Sequence, residues 1–121
     1  MINKVKRGFA THFMADLYLC QRKLWEQPGE LIKAVTAITE FGEVCGFQWI
    51  FQNSASDWQR MIGAIGDSFL CIQVFPEDSF LTIDVFSWQP KPVLKNCCES
   101  LIEIFQPQVV AVESKIRAEH L

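Results

Sequence analysis

The sequence lacks a long apolar run. Nothing in its 121 residues approaches the ~20 consecutive apolar residues that a bilayer-spanning helix requires, so no membrane association is expected. The basic start Met1-Ile2-Asn3-Lys4-Val5-Lys6-Arg7 is followed by Thr11, His12 and Asp16, which interrupt the apolar core of any signal peptide. An excess of positive charge is missing as well. The 11 basic and 14 acidic residues, net −3, are mixed along the chain, which leaves no basic patch for a phosphate backbone and excludes nucleic acid as a partner. The two histidines, His12 and His120, stand far apart, and the five cysteines (Cys20, Cys45, Cys71, Cys97, Cys98) are odd in number and irregular in spacing. No CxxC meets a second CxxC or an HxxxH, so neither a metal site nor a disulfide framework is expected. Free thiols of this kind suit a reducing cytoplasm.

Low-complexity linkers and internal repeats are also absent, and the length suits one domain over residues 1–121. What is present is apolar. Half of the residues are hydrophobic, 12% are aromatic and only 21% are charged, a globular composition with more apolar material than so small a body can bury alone.

Periodicity divides the chain into elements. Phe13 to Leu19 alternates as a strand. Leu31, Ile32, Val35 and Ile38 repeat at helical spacing after Pro28 and before Gly42, predicting a helix over 29–41. Phe47, Trp49 and Phe51 alternate as a second strand, closed by the polar Asn53-Ser54-Ala55-Ser56-Asp57 break. Met61 to Phe75 reads as one apolar strand containing Gly63 and Gly66, joined through Pro76-Glu77-Asp78-Ser79 to an alternating strand from Leu81 to Phe86. Pro90 and Pro92 open a helix whose Val93, Leu94, Cys97, Cys98, Leu101, Ile102 and Phe105 form one stripe ending near Pro107. Val109 to Val112 supplies a last strand. The order β-α-β-β-β-α-β predicts an α+β two-layer sandwich, an antiparallel sheet with both helices on one face. The second sheet face, expected to be rich in aromatics and leucine, stays wet and apolar unless another subunit covers it, so a homodimer is expected.

Read in order, Gly66-Asp67-Ser68-Phe69-Leu70-Cys71-Ile72-Gln73-Val74-Phe75-Pro76-Glu77 and Phe80-Leu81-Thr82-Ile83-Asp84-Val85-Phe86-Ser87-Trp88 resemble the signature of the short bacterial S-adenosylmethionine decarboxylases. Thr11-His12-Phe13-Met14-Ala15-Asp16-Leu17-Tyr18-Leu19-Cys20 resembles that family's opening strand, and the order of elements fits over about residues 10–114.

The resemblance implies a chemistry. In that family a serine preceded by an acidic residue attacks the carbonyl before it, the chain breaks, and the new N-terminus becomes a pyruvoyl group. This ketone condenses with the substrate amine and serves as the electron sink for decarboxylation. Ser68 after Asp67 occupies that position, so a pyruvoyl cofactor is implied if Ser68 is processed and none otherwise. The family has glutamate before and histidine after the serine, where this chain has Asp67 and Phe69. Five residues after Ser68, where the family has a proton-transferring histidine, stands Gln73; twenty residues after, where it has a proton-donating cysteine, stands Trp88. Arg60 replaces a serine that assists processing. Glu77 matches the acidic residue that binds the substrate's ribose hydroxyls, and Phe75 replaces a tryptophan beside it. Arg60 is suited to an acidic group on a different ligand. Cys71 shares strand parity with Gln73 and offers a substitute thiol.

Positioned acid–base groups contribute typically ~10²–10⁴-fold each, so losing two of them predicts near silence of the family's reaction. The first expectation is therefore an uncleaved, catalytically degenerate relative linked to polyamine (spermidine) biosynthesis, regulating or forming a mixed dimer with an active paralogue. Retention of Ser68 and Glu77 keeps open an active pyruvoyl-dependent decarboxylase of S-adenosylmethionine or of another amino acid such as ornithine or arginine. A non-enzymatic interaction protein on the same fold is the third reading.

Overall fold

The computed structural model describes residues 10–38, 46–51, 59–65, 68–88 and 91–118. Its elements run β1 (Ala10–Tyr18), α1 (Pro28–Thr36), β2 (Gly46–Phe51), β3 (Gln59–Ile65), β4 (Ser68–Phe75), a 3-10 turn (Pro76–Asp78), β5 (Phe80–Ser87), α2 (Lys91–Glu103) and β6 (Val109–Arg117). The six strands form one sheet in the order β2-β3-β4-β5-β1-β6, and every neighbouring pair is antiparallel.

Alternation decides which side of the sheet each residue takes. Phe13, Ala15 and Leu17 of β1, Leu70, Ile72 and Val74 of β4, and Leu81, Ile83 and Val85 of β5 are buried on one face. They share a single core cluster with Leu31 and Val35 of α1 and with Leu94, Cys97, Cys98 and Leu101 of α2. Both helices thus cover the same side, and the expected α+β two-layer sandwich is the observed architecture. Cys20, Trp25 and Phe105 extend this core beyond the strands. There the Gln21 N–H donates to the Phe105 carbonyl at 3.0 Å and the Cys20 N–H to the Ser79 carbonyl at 2.9 Å.

Several boundaries differ from the sequence-based expectation: β1 spans Ala10–Tyr18 rather than Phe13–Leu19, and α2 ends at Glu103, short of Pro107. Met61–Phe75 is two strands, β3 and β4, paired with each other in the register Arg60↔Gln73 through Ile65↔Ser68, so the order gains one strand. The buried positions show why: they are the odd-numbered Met61 and Gly63 in β3 and the even-numbered Leu70, Ile72 and Val74 in β4. A continuous strand keeps one parity, so the switch marks two strands. Helix α1 stops at Thr36 rather than 41. Val35 and Thr36 are β-branched, and the Thr36 hydroxyl donates back to the Ile32 carbonyl at 3.0 Å, a local bond that competes with helix continuation. The Gly42 stop lies outside the described residues. Strand β6 runs on to Arg117 instead of ending at Val112, because its charged residues alternate outward on a strand whose nine residues are all exposed.

The hairpin closes as its sequence suggests. Pro76 opens the 3-10 turn, Ser79 takes a left-handed φ of 49° and its N–H donates to the Pro76 carbonyl at 3.2 Å. Among the described residues, no helix is long and apolar enough to cross a membrane.

Phe105 is fully buried where helix α2 meets the end of β1. Replacing it by alanine is expected to lower unfolding stability by about 3–5 kcal/mol. Replacing exposed Glu99 by alanine should change it by less than ~0.5 kcal/mol. Urea denaturation of the two variants side by side checks this difference.

Candidate functional site

The β4–β5 register governs where the residues singled out in the sequence fall. Phe69 pairs with Phe86, Cys71 with Asp84, Gln73 with Thr82 and Phe75 with Phe80. One step beyond the first pair, half-buried Ser68 meets the start of the segment after β5. Its hydroxyl accepts a hydrogen bond from the Trp88 backbone N–H at 3.3 Å. The structure therefore brings Ser68 and position 88 together across 20 residues of chain. Asp67 lies outside the described residues.

Beside this contact stands an aromatic cluster centred on Phe86. Phe69 stacks on it at 5.6 Å and 5°, and Trp88 meets it edge-on at 5.8 Å and 77°. The Arg117 guanidinium sits 5.8 Å from the Phe86 centroid, within cation–π range. Trp88 is half-buried; its backbone N–H reaches Ser68 while its indole packs against Phe86.

The other candidate residues do not converge on Ser68 within one chain. Gln73 lies five residues farther along the same continuous strand, roughly 16 Å away at ~3.3 Å per residue. Glu77 is exposed at the turn, beyond the far end of β4. Phe75 stacks on Phe80 at 5.5 Å, and Phe80 in turn packs on Tyr18 at 5.0 Å. By strand parity Ser68 belongs with Leu70, Ile72 and Val74 on the helix side, whereas Phe69, Cys71, Gln73 and Phe75 face the open side. Leu17, Leu70 and Leu81 are buried beneath the helices, so the expectation of a leucine-rich open face is corrected. Its apolar character is aromatic.

A polar row crosses this open face. Arg60 is half-buried on β3 and registers opposite Gln73. Burial pushes the Cys71 thiol above its ordinary value; the Arg60 charge draws it partly back and the Asp84 carboxylate raises it further. Cys71 is thus a protonated thiol at neutral pH, able to donate a proton but poor as a thiolate nucleophile. Asp84 Oδ1 lies 3.3 Å from His12 Nε2, linking β5 to β1. Sequence reasoning missed this pair, because 72 residues separate them; only the β1–β5 register brings them near. A trough of about 380 Å³ on the same face is lined by Met14, Asp16, Thr82, Asp84 and Glu113 among others, and none of Ser68, Gln73, Glu77 or Trp88 contributes to it. Among the described residues no three of His, Cys, Asp and Glu are placed to hold a metal ion.

Residues 11–118 match the family model for S-adenosylmethionine decarboxylase. The chain belongs to the S-adenosylmethionine decarboxylase family. No curated protein matches the sequence. The fold is similar to the crystal structure of the adenosylmethionine decarboxylase from Aquifex aeolicus VF5, with a TM-score of 0.74 and 15% identity over 92% of each chain. Members of this decarboxylase family generally depend on a pyruvoyl group. The hydrogen bond to the Ser68 hydroxyl comes from a backbone N–H, position 73 is an amide and position 88 an indole, and neither side chain exchanges a proton near neutral pH.

The environment of Cys71 makes a measurable prediction. Its alkylation by iodoacetamide, followed at the peptide level, should rise with pH to a midpoint above 9.0. Arg60→Met should move that midpoint higher still and Asp84→Asn should move it lower. Cys20 and Cys98, pushed up to about 11 and about 12 by burial, should react far more slowly in the folded protein.

Proposed function

We propose that this chain is a catalytically degenerate member of the S-adenosylmethionine decarboxylase family. It remains a single uncleaved domain, works in the cytoplasm as a homodimer, and serves polyamine (spermidine) synthesis by regulating or pairing with an active relative. The observation that carries this reading is the surroundings of Ser68. A serine that attacks the carbonyl before it must lose its proton, and elimination then needs a group that moves protons near neutral pH. The Trp88 N–H that reaches Ser68 is a donor and takes no proton from it, and neither the Trp88 side chain nor Gln73, farther along β4, supplies an acid or a base. Two lost helpers at about 10²–10⁴-fold each reduce the family's chemistry to near nothing.

Strand geometry supports the homodimer. Within one chain the Ser68 end and the Phe75 end of β4 stand about 23 Å apart at ~3.3 Å per residue. Two copies packed open face to open face, about a two-fold axis lying between the sheets and across the strands, would set each Ser68 end beside the partner's Phe75 and the partner's Glu77. The half-buried aromatics Phe75, Phe80 and Phe86 and the 43%-exposed Phe69 would be covered in the same step. Such an arrangement also admits a mixed dimer, in which an active paralogue contributes the helper groups that this chain lacks.

The alternative is an active pyruvoyl-dependent decarboxylase of S-adenosylmethionine or of another amino acid such as ornithine or arginine. Retained Ser68 and Glu77 favour it, with Cys71, held protonated by burial, as a substitute proton donor. Intact mass spectrometry separates the two. The purified protein should be a single 13.9 kDa chain that gives no adduct with ketone reagents. Fragments ending at Asp67 and beginning at position 68 would establish the active reading instead. Restoring the missing chemistry with Gln73→His and Trp88→Cys together should produce partial cleavage at that bond, and Ser68→Ala in that background should abolish it.

A further inference from the structure

Strand β6 is the last in the sheet order and pairs only with β1 among the described residues. All nine of its residues are exposed, including Val109 and Val112 at 54%, Ile116 at 46% and Val110 at 40%. A long edge strand with open backbone N–H and C=O groups and apolar side chains is a template for another strand. Alternation divides its side chains. Val110, Val112, Ser114 and Ile116 register opposite Leu17, Ala15, Phe13 and Thr11 and so lie on the helix side. Glu113, Lys115 and Arg117 lie on the open side. Helix α2 does not cover the helix side of β6. Between them is a trough of about 270 Å³ lined by Thr11, Phe13, Leu94, Lys95, Val112 and Ser114.

We propose that β6 pairs antiparallel with β6 of a second copy of this chain, the two-fold axis passing beside Ser114. Symmetry limits the choice. A two-fold perpendicular to the sheet makes one residue of an antiparallel edge face itself. Centring on Glu113 would set two carboxylates opposite each other, and centring on Lys115 would set two ammonium groups opposite each other; like charges directly opposite are destabilising. Centring on Ser114 places Glu113 opposite the partner's Lys115, and Lys115 opposite the partner's Glu113. It also places Val112 opposite the partner's Ile116, beside the mouth of the apolar trough. The sheet then continues from one copy into the next with both helix layers on the same side. The open faces stay free, so this interface is separate from the face-to-face homodimer proposed above and would join such dimers into larger assemblies.

The test is the oligomeric state and its register. Ser114→Cys should form a disulfide-linked dimer under mild oxidation, with residue 114 joined to residue 114 in the linked peptide, since directly opposed Cα atoms are about 4.5–5.5 Å apart. The wild-type protein should form none. Light scattering should show Ile116→Lys, Glu113→Lys and Lys115→Glu each shifting the protein toward the smaller species. The double exchange Glu113→Lys with Lys115→Glu should restore the larger one. All these positions are exposed, so the variants should keep the circular dichroism of the wild type. Absence of the Ser114→Cys cross-link, or masses unmoved by Ile116→Lys and the single charge reversals, would overturn the proposal. So would slow amide exchange of β6 in a monomer, which would assign the edge to another segment of the same chain.

Discussion

Ser68 can meet Trp88 only because Phe69 lies opposite Phe86, and that register is set at the other end of the hairpin. The Pro76–Asp78 turn, with Ser79 in the left-handed region, closes β4 onto β5 with Phe75 against Phe80. From there each residue of β4 has one partner, up to Ser68. Shifting the register by one residue would place Leu70, Ile72 and Val74 on the open face and Cys71 and Gln73 under the helices. The core forbids that shift. The apolar requirement of the helix-covered face therefore fixes the geometry of the candidate site on the other side and at the strand's end.

This constraint gives the open face its mixed character. Helix-covered positions must be apolar, but the positions between them carry Phe69, Phe75, Phe80 and Phe86 with Arg60, Cys71, Gln73, Asp84 and His12. The aromatics are gathered by ring contacts at 5.0–5.8 Å, and the charged groups are held by cross-strand neighbours. The raised Cys71 thiol follows from the same placement. It is half-buried among strand neighbours, where loss of hydration outweighs the nearby guanidinium.

The fold was largely legible because period-two alternation and helical spacing survive along most of the chain. Leu81 to Phe86 alternates cleanly and its strand was found within a residue of each end. Met61 to Phe75 misled because Gly66-Asp67-Ser68 interrupts an otherwise apolar stretch only briefly. The signal that separates β3 from β4 is the parity switch between Met61 and Leu70, which becomes visible only once one buried face is known. For the site, the spacing from Ser68 to Trp88 was legible through family resemblance, and their contact follows from the hairpin. The pairing of His12 with Asp84 was not. It depends on β1 entering the sheet next to β5, a non-local choice that neither segment's own pattern encodes. The division of Ser68 from Gln73 along one strand was available in principle, since five extended residues cannot fold back on themselves.

The hairpin's two roles differ in how much substitution they tolerate. Leu70, Ile72, Val74, Leu81, Ile83 and Val85 are buried to 1% exposure or less, and truncating such residues costs about 2–5 kcal/mol each, comparable with a small domain's whole stability. Arg60, Cys71, Gln73, Phe75 and Trp88 are half-buried toward the open face or at its margin, where a change of side chain alters chemistry with little effect on packing. A chain can therefore exchange a histidine for Gln73 and a cysteine for Trp88 and still fold through the same register. The overall match over residues 11–118 therefore rests on a fold that tolerates exchange at these half-buried positions.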